Sequence, residues 1–250
     1  MTSLARRMRA RKLAARAAAE AGTATPGRAA PMPKTGESAS EYRVLLAALH
    51  DDLRTLSEVQ SIADRNPMKA EMAAKFLPWV KGALEAGAAG KAAQDEIVVT
   101  IMIWAIDYRD IDFALDIAAH VLKHGLTLPE RYNRTAACLV AEELAEVYLR
   151  EPGSVSVAQL ARAALLTDGR DMPDQARAKI CKAIGRASLA AAQSYDPGAD
   201  NAVAGGKAGL LQAAIDAFKE AIRRHDKCGA KLDLKLAETE LAKLGTPPGT

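Results

Sequence analysis

The sequence predicts an all-α fold, and three observations lead to this prediction. Hydrophobic residues make up 49% of the 250 residues but only 4% are aromatic, and alanine, a strong helix former, is the commonest apolar side chain. From residue 40 onward, apolar side chains recur at spacings of three and four, the period of an amphipathic helix. Valine-rich alternating segments, which would indicate strands, do not occur in the sequence.

The first 40 residues are predicted to be a basic arm and a flexible linker. Residues 3–20 alternate alanine with arginine and offer few side chains to bury, so we expect them to be disordered or only partly helical. Residues 22–40 are rich in Gly, Pro, Ser and Thr, which is typical of a linker. Eight basic and two acidic side chains give residues 1–40 a charge of +6; because the whole chain carries +3, the remainder carries −3.

The arm offers the clearest candidate for a nucleic-acid contact. Six basic side chains, with no acidic one among them, occur within its first sixteen residues: Arg6, Arg7, Arg9, Arg11, Lys12 and Arg16. Such a cluster can contact phosphates without reading bases. No aromatic side chains are interleaved with it, so stacking on single-stranded bases is not predicted. A solubilising tail is the alternative interpretation.

Two helical regions are predicted to follow, a core over residues 41–150 and a helical-hairpin region over 151–250. We expect a long first helix that ends at the Asn66-Pro67 break. Its apolar residues from Tyr42 to Ala63 have a heptad-like spacing. This spacing fits either a helix packed on its own domain or an oligomer seam.

Helical hairpins are predicted over residues 92–125 and 176–226. Each stretch shows a helix, a turn and a second helix in which small alanines surround Phe113 or Phe218. This pattern is typical of tetratricopeptide-like packing, in which the phenylalanine fills the groove between close helices. The 34-residue period is not sustained along the chain, so a repeat array is not predicted.

Motifs for catalysis or metal binding are weak. His120 and His124 are spaced i, i+4, but no third ligand follows at a fixed spacing, and contact with helix-terminal carbonyls explains His124 better. A magnesium-dependent nuclease would need converging carboxylates, for which Glu96, Asp107 and Asp110 are the candidates. Helix capping explains the two aspartates better. We therefore predict no metal site and no cofactor, with Mg²⁺ only in the nuclease alternative, and the catalytic residues remain unknown.

The cysteines and the apolar runs indicate the compartment. Cys138, Cys181 and Cys228 are widely spaced and odd in number, so no disulfide framework is predicted; we expect all three in helices, in a reducing cytoplasm. The longest apolar run, Ile97 to Ile106, is too short to cross a bilayer. No membrane contact is predicted.

Several segments between residues 42 and 245 resemble the terminase small-subunit family of Peduovirus-type tailed phages and prophages. The most specific are FLPWV at 76–80, MIW at 102–104 followed by Asp107, and DMPD at 171–174. The resemblance continues at 94–97, 122–126, 129–131, 142–145, 177–179 and 228–231.

This resemblance implies a DNA-packaging protein that binds double-stranded phage DNA and directs its cutting and packaging with a large ATPase subunit. Members of the family are labelled endonuclease subunits. We expect a homo-oligomer in the host bacterial cytoplasm. The alternatives are an intrinsic metal-dependent endonuclease and a helical scaffold that binds only the large subunit.

Overall fold

The computed structural model describes residues 3–22, 28–197 and 205–245, and within these ranges every extended element of regular structure is an α-helix. The all-α prediction is confirmed. The helices are α1 (Leu4–Glu20), α2 (Gly36–Glu58), α3 (Ile62–Ala73), α4 (Leu77–Ala88), α5 (Glu96–Asp107), α6 (Ile111–His124), α7 (Ala136–Arg150), α8 (Val157–Thr167), α9 (Asp174–Gln193), α10 (Gly206–Arg224) and α11 (Lys231–Gly245). No described helix has both the length and the apolarity needed to cross a membrane.

The chain divides into two compact units, unit 1 (Met1–Ala136) and unit 2 (Ala137–Thr250). The sequence instead suggested boundaries near residues 40 and 150. In the structure, residues 28–40 and the α1 helix belong to the first compact unit. This grouping follows from the packing of α1, which composition alone does not reveal.

Helix α5 forms the centre of unit 1. Every side chain from Ile97 to Ile106 is buried. Asp95 caps the helix, because its Oδ1 accepts hydrogen bonds from the Ile97 and Val98 backbone N–H groups at 2.9 and 3.1 Å. The other carboxylate oxygen accepts a hydrogen bond from the Trp79 indole N–H at 2.7 Å. One buried carboxylate thus fixes both the start of α5 and the position of α4.

Helix α1 corrects the prediction of a disordered arm. Ala10, Ala14 and Ala17 are buried on one side of this helix, together with Leu13 and Ala18. That side packs closely on α4, where a Cβ added to Gly82 would lie only 2.1 Å from the Arg11 carbonyl oxygen. Alanines and a glycine let the two backbones approach, so a helix with little apolar volume still buries a continuous surface.

The predicted linker is also ordered where the structure describes it. Ala29 and Ala30 are buried. The Ala29 N–H donates to the Gly125 carbonyl at 3.1 Å, and the Gln94 N–H donates to the Ala30 carbonyl at 2.6 Å. The flexible-linker prediction is therefore wrong for residues 28–35, because their backbone groups bond to unit 1; residues 23–27 lie outside the described residues.

The predicted first core helix is two helices. Helix α2 ends at Glu58, the Ser61 side chain caps α3, and Pro67 lies inside α3 instead of ending a helix. The seam of α2 faces its own unit: Leu49 and Leu56 are buried. The Tyr42 hydroxyl accepts a hydrogen bond from the Glu96 N–H at 3.1 Å. Packing within the domain, one of the two interpretations of the heptad-like spacing, is observed for these residues, and the oligomer seam stays a prediction.

Unit 2 contains a tightly packed pair of helices, α9 and α10. Phe218 of α10 is fully buried, and a Cβ added to Gly185 of α9 would lie 2.5 Å from its ring. Phe113, the corresponding residue predicted in unit 1, is only half-buried, so it does not fill a groove in the same way. The tetratricopeptide-like arrangement stays a prediction. Cys228 lies in the bend between α10 and α11, not in a helix as expected, and none of the three cysteines forms a disulfide.

Candidate nucleic-acid interface

The six predicted phosphate-binding side chains all lie on α1, but they fall into two groups. Three of them are exposed and pair with no carboxylate among the described residues: Arg6, Arg7 and Lys12. Arg6 and Arg7 lie near the N-terminal end of the helix, where no acidic residue occurs in the first turn. Because the helix macrodipole disfavours cations at this end, these charges do not stabilise α1 and are available to an external anion.

The other three cations are used within unit 1. Arg9 contacts Glu37 of α2 at 2.8 Å, Arg16 contacts Glu20 at 2.6 Å, and Arg11 pairs with Glu85 of α4. Hydrogen bonds to Glu20, first from the Ser38 hydroxyl and then from Arg16, lower the pKa of the Glu20 carboxyl. Exposed pairs of this kind contribute about 0 to 1 kcal/mol each, so their main effect is to neutralise half of the basic charge of the helix.

The packing of α1 on α4 adds a cation that the sequence did not indicate. Ala18 and Gly90 line one cleft, while Arg11 pairs with Glu85, so the two helices run in the same direction. Arg7 lies one turn before Arg11, and Lys81 lies one turn before Glu85. Lys81 is exposed and precedes Gly82, which packs against the backbone of α1, so it is a further cation on the helix beside α1.

The candidate nuclease site is not assembled. Glu96 is the first residue of α5 and Asp107 is its last, which places their backbones about 16 Å apart along the helix axis. Asp107 pairs with Lys69 at 2.6 Å, Glu96 pairs with Arg131 at 3.3 Å, and the Asp110 side chain caps α6 through the Phe113 N–H. Capping and ion pairing therefore account for these carboxylates, which the structure does not bring together at one point; the nuclease alternative stays a prediction. In the described ranges, no three His, Cys, Asp or Glu side chains are placed to hold one metal ion.

The two histidines contact each other but serve the packing of α6 on α4. Their ring centroids are 4.8 Å apart, and His124 Nε2 lies 3.1 Å from the Gly87 carbonyl oxygen. The predicted contact with a helix-terminal carbonyl is therefore made to the last turn of α4, not to the histidine's own helix. Burial, followed by the charges of His124 and Lys123, lowers the pKa of His120 to about 4.

Sequence reasoning missed the acidic partners of α1 and the role of Lys81. A usable signal was present: Gly82 interrupts an otherwise good helix pattern, and alanines recur every three or four residues in 10–18. Small residues on two helices indicate close approach. Recognising that pairing would have predicted an ordered α1.

The comparisons with known proteins indicate a family. The family model described as phage small terminase subunit matches residues 46–175. The "Terminase, endonuclease subunit" of Escherichia phage P2 is 40% identical over 150 residues, which cover 59% of this chain and 60% of that protein. The "Probable terminase, endonuclease subunit" of Haemophilus phage HP1 is 26% identical over 106 residues, which cover 42% of this chain and 37% of that protein.

The chain thus spans about three fifths of the P2 protein and a smaller share of the HP1 protein. No solved structure matches it. The family match includes parts of both units and begins within α2, so α1 lies outside it. Because the match covers more than half of the sequence, the chain belongs to the phage small terminase subunit family.

Proposed function

We propose that this chain is the small subunit of a phage terminase, which binds double-stranded phage DNA and directs its cutting and packaging into capsids together with the large ATPase subunit. The proposal rests on the family membership, supported by the P2 relative that is named a terminase subunit. It places the protein in the host bacterial cytoplasm as a homo-oligomer. Self-association would let several weak DNA contacts act together on one duplex.

Within unit 1, the unpaired cations of α1 are the best candidates for the DNA contact. Arg6, Arg7 and Lys12 are exposed and free of carboxylate partners among the described residues. Each phosphate contact to duplex DNA contributes about 0.9 to the slope of log K against log salt. These three side chains are therefore expected to contribute about 2.7 to the magnitude of that slope.

Fluorescence anisotropy with labelled duplex DNA over a salt series tests this proposal. The combined change Arg6→Gln, Arg7→Gln and Lys12→Gln should lower the magnitude of the salt slope by about 2.7 and weaken binding most at low salt. The matched control is Arg9→Gln, Arg11→Gln and Arg16→Gln, which removes three charges from the same helix but from paired positions. It should change the slope less.

Point substitutions are preferable to deletion of the first 40 residues, because deletion would uncover the alanine-lined surface of α4. Equal slopes for both triple variants would argue against a DNA contact through the unpaired cations. Native mass measurements with and without duplex DNA then report the oligomer and the ligand together.

Intrinsic cleavage is the second candidate, because both relatives are named endonuclease subunits. Mg²⁺-dependent cleavage of duplex DNA by the purified chain, abolished when EDTA is added, would favour this candidate. Retained binding to the large subunit without any binding to duplex DNA would instead favour a scaffold.

A further inference from the structure

A second group of cations lies in unit 2, around the turn that joins α10 to α11. The Lys182 ammonium of α9 donates to the Cys228 carbonyl of this turn at 2.8 Å. Arg224, the last residue of α10, contacts Asp174, the first residue of α9, at 3.3 Å. The beginning of α9, the end of α10 and the beginning of α11 therefore meet at one end of unit 2.

The arginines at this end are neutralised internally. Arg223 and Arg224 both contact Glu220, at 2.6 and 2.8 Å, and Arg224 also reaches Asp174. Hydrogen bonds from Arg223 and then Arg224 lower the pKa of the Glu220 carboxyl to about 2, so the carboxyl stays ionised. These arginines are already committed to acidic partners within unit 2.

The lysines are not neutralised in this way. Lys227 in the turn and Lys231 and Lys235 on α11 are exposed, and none of them pairs with a carboxylate in the part of the chain that the structure describes. We call these three residues the turn lysines. The nearby Asp233 pairs with Arg186 at 2.7 Å, which leaves exposed Asp226 as the one unpaired acid beside them within the described ranges.

The turn lysines do not serve the stability of unit 2. Lys231 is the first residue of α11, where the macrodipole disfavours a cation. Lys235 follows one turn later, and like charges at this spacing destabilise a helix. Because these positive charges do not stabilise the fold, binding of an anion from outside the unit is the role that explains them.

We propose that the turn lysines form a second contact for the phosphates of duplex DNA, which deepens and rests on the proposed function. Lys231 and Lys235 lie about 6 Å apart along the axis of α11, so their ammonium groups can contact neighbouring phosphates of one DNA strand. No Phe, Tyr or Trp occurs between residues 219 and 245, so the surface is suited to a duplex backbone better than to stacked single-stranded bases.

The test is duplex DNA binding by the full chain over a salt series. The combined change Lys227→Gln, Lys231→Gln and Lys235→Gln, which keeps a similar helix propensity, should lower the magnitude of the salt slope by about 2.7. The matched control is Lys179→Gln, Lys207→Gln and Lys219→Gln, which removes the same charge from unit 2. These three lysines are paired with Glu146, Glu240 and Glu238. This control should change the slope by much less.

The melting temperature of the turn-lysine variant separates binding from folding. It should equal or exceed that of the wild type, because repulsion is removed; a clear decrease would mean that the lysines are structural and would overturn the inference. Equal salt slopes of DNA binding for the variant and the matched control would also overturn the inference. The inference would fail too if the variant lost binding to an acidic protein partner while its affinity for DNA stayed unchanged.

The wild-type measurement keeps this inference separate from the proposed function. If the wild type binds DNA and only the α1 variant lowers the slope, the inference fails and the proposed function stands. If the wild type does not bind duplex DNA at any salt concentration, the DNA-binding part of the proposed function fails, and the inference fails with it.

Discussion

Unit 1 and unit 2 are both helical, but they fill their interiors with different side chains. Unit 1 buries large aromatic and branched residues around α5, and it also buries the ionisable side chains of Asp95 and His120. In unit 2, α9 and α10 meet through alanines and Gly185, and the ring of Phe218 lies directly against Gly185 in a core that also holds Leu211 and Ile215. Unit 1 therefore depends on satisfying buried polar groups, whereas unit 2 depends on a close steric fit.

The largest predicted effect is expected from a substitution that disrupts the close packing of α9 and α10 in unit 2. Phe218→Ala should lower the free energy of unfolding of unit 2 by about 3–5 kcal/mol, because it leaves a cavity that neighbouring alanines cannot fill. Chemical denaturation followed by circular dichroism measures this change.

Phe113→Ala is the matched control in unit 1. Because Phe113 is only half-buried, its loss should cost about 1 kcal/mol. A similar cost for both variants would contradict the contrast between the two phenylalanines.

The second prediction concerns the buried ionisable groups of unit 1, which should have opposite effects on stability as the pH changes. The pKa of His120 falls from 6.5 to about 4 on folding, so the unfolded chain binds the proton first and stability decreases as the pH falls through this window. Burial, partly offset by three hydrogen bonds, raises the pKa of Asp95 from 3.8 to about 6. Stability therefore decreases as the pH rises from about 4 to 6.

The two contributions largely cancel in the wild type, and single substitutions should reveal them. Relative to wild type, Asp95→Asn should make stability rise more steeply between pH 4 and 6, and His120→Gln should make it fall, each by about 3 kcal/mol across the window at most. Urea denaturation at several pH values checks the two slopes. Parallel curves for the wild type and both variants would show that neither group titrates differently on folding.

The smallest predicted effect tests whether unit 1 also contains a steric contact like that of unit 2. Gly82→Ala should cost about 1–3 kcal/mol, because the new Cβ meets the Arg11 carbonyl, which is backbone and cannot rotate away. Detachment of α1 from α4 should then increase the rate at which trypsin cleaves after the arginines of α1. Gly22→Ala meets no atom within 4 Å and should leave the cleavage rate unchanged.

Much of the fold follows from the sequence, because the periodic apolar positions of α5, α6, α9 and α10 are strong and their ends carry clear signals. Asp110 before α6 and Gly125 after it cap the helix as their residue types predict. The order of α1 did not follow, because its buried surface consists of alanines that are complementary only to Gly82 and its neighbours on α4. Composition records how much apolar volume a segment has, not how closely another backbone can approach it.

The candidate interface could be predicted only in part, because tertiary packing decides which of its charges are neutralised. The six basic residues of α1 are evident from the sequence, and so is Glu20 of the same helix, which pairs with Arg16. The partners of Arg9 and Arg11, by contrast, come from α2 and α4, as far away in the chain as Glu85. Such partners are set by tertiary packing. The turn lysines were likewise hidden in a region whose acidic and basic residues nearly balance.

The packing of α1 also affects the entropy of DNA binding. Ordering a free segment costs about 1–2 kcal/mol of backbone conformational entropy per residue, and α1 comprises 17 residues. Because α1 is already ordered by its packing on α4, a DNA contact through α1 would not lose this conformational entropy on binding. Its cations would meet phosphates from a rigid support, and complex formation should show little of the heat-capacity change that accompanies coupled folding.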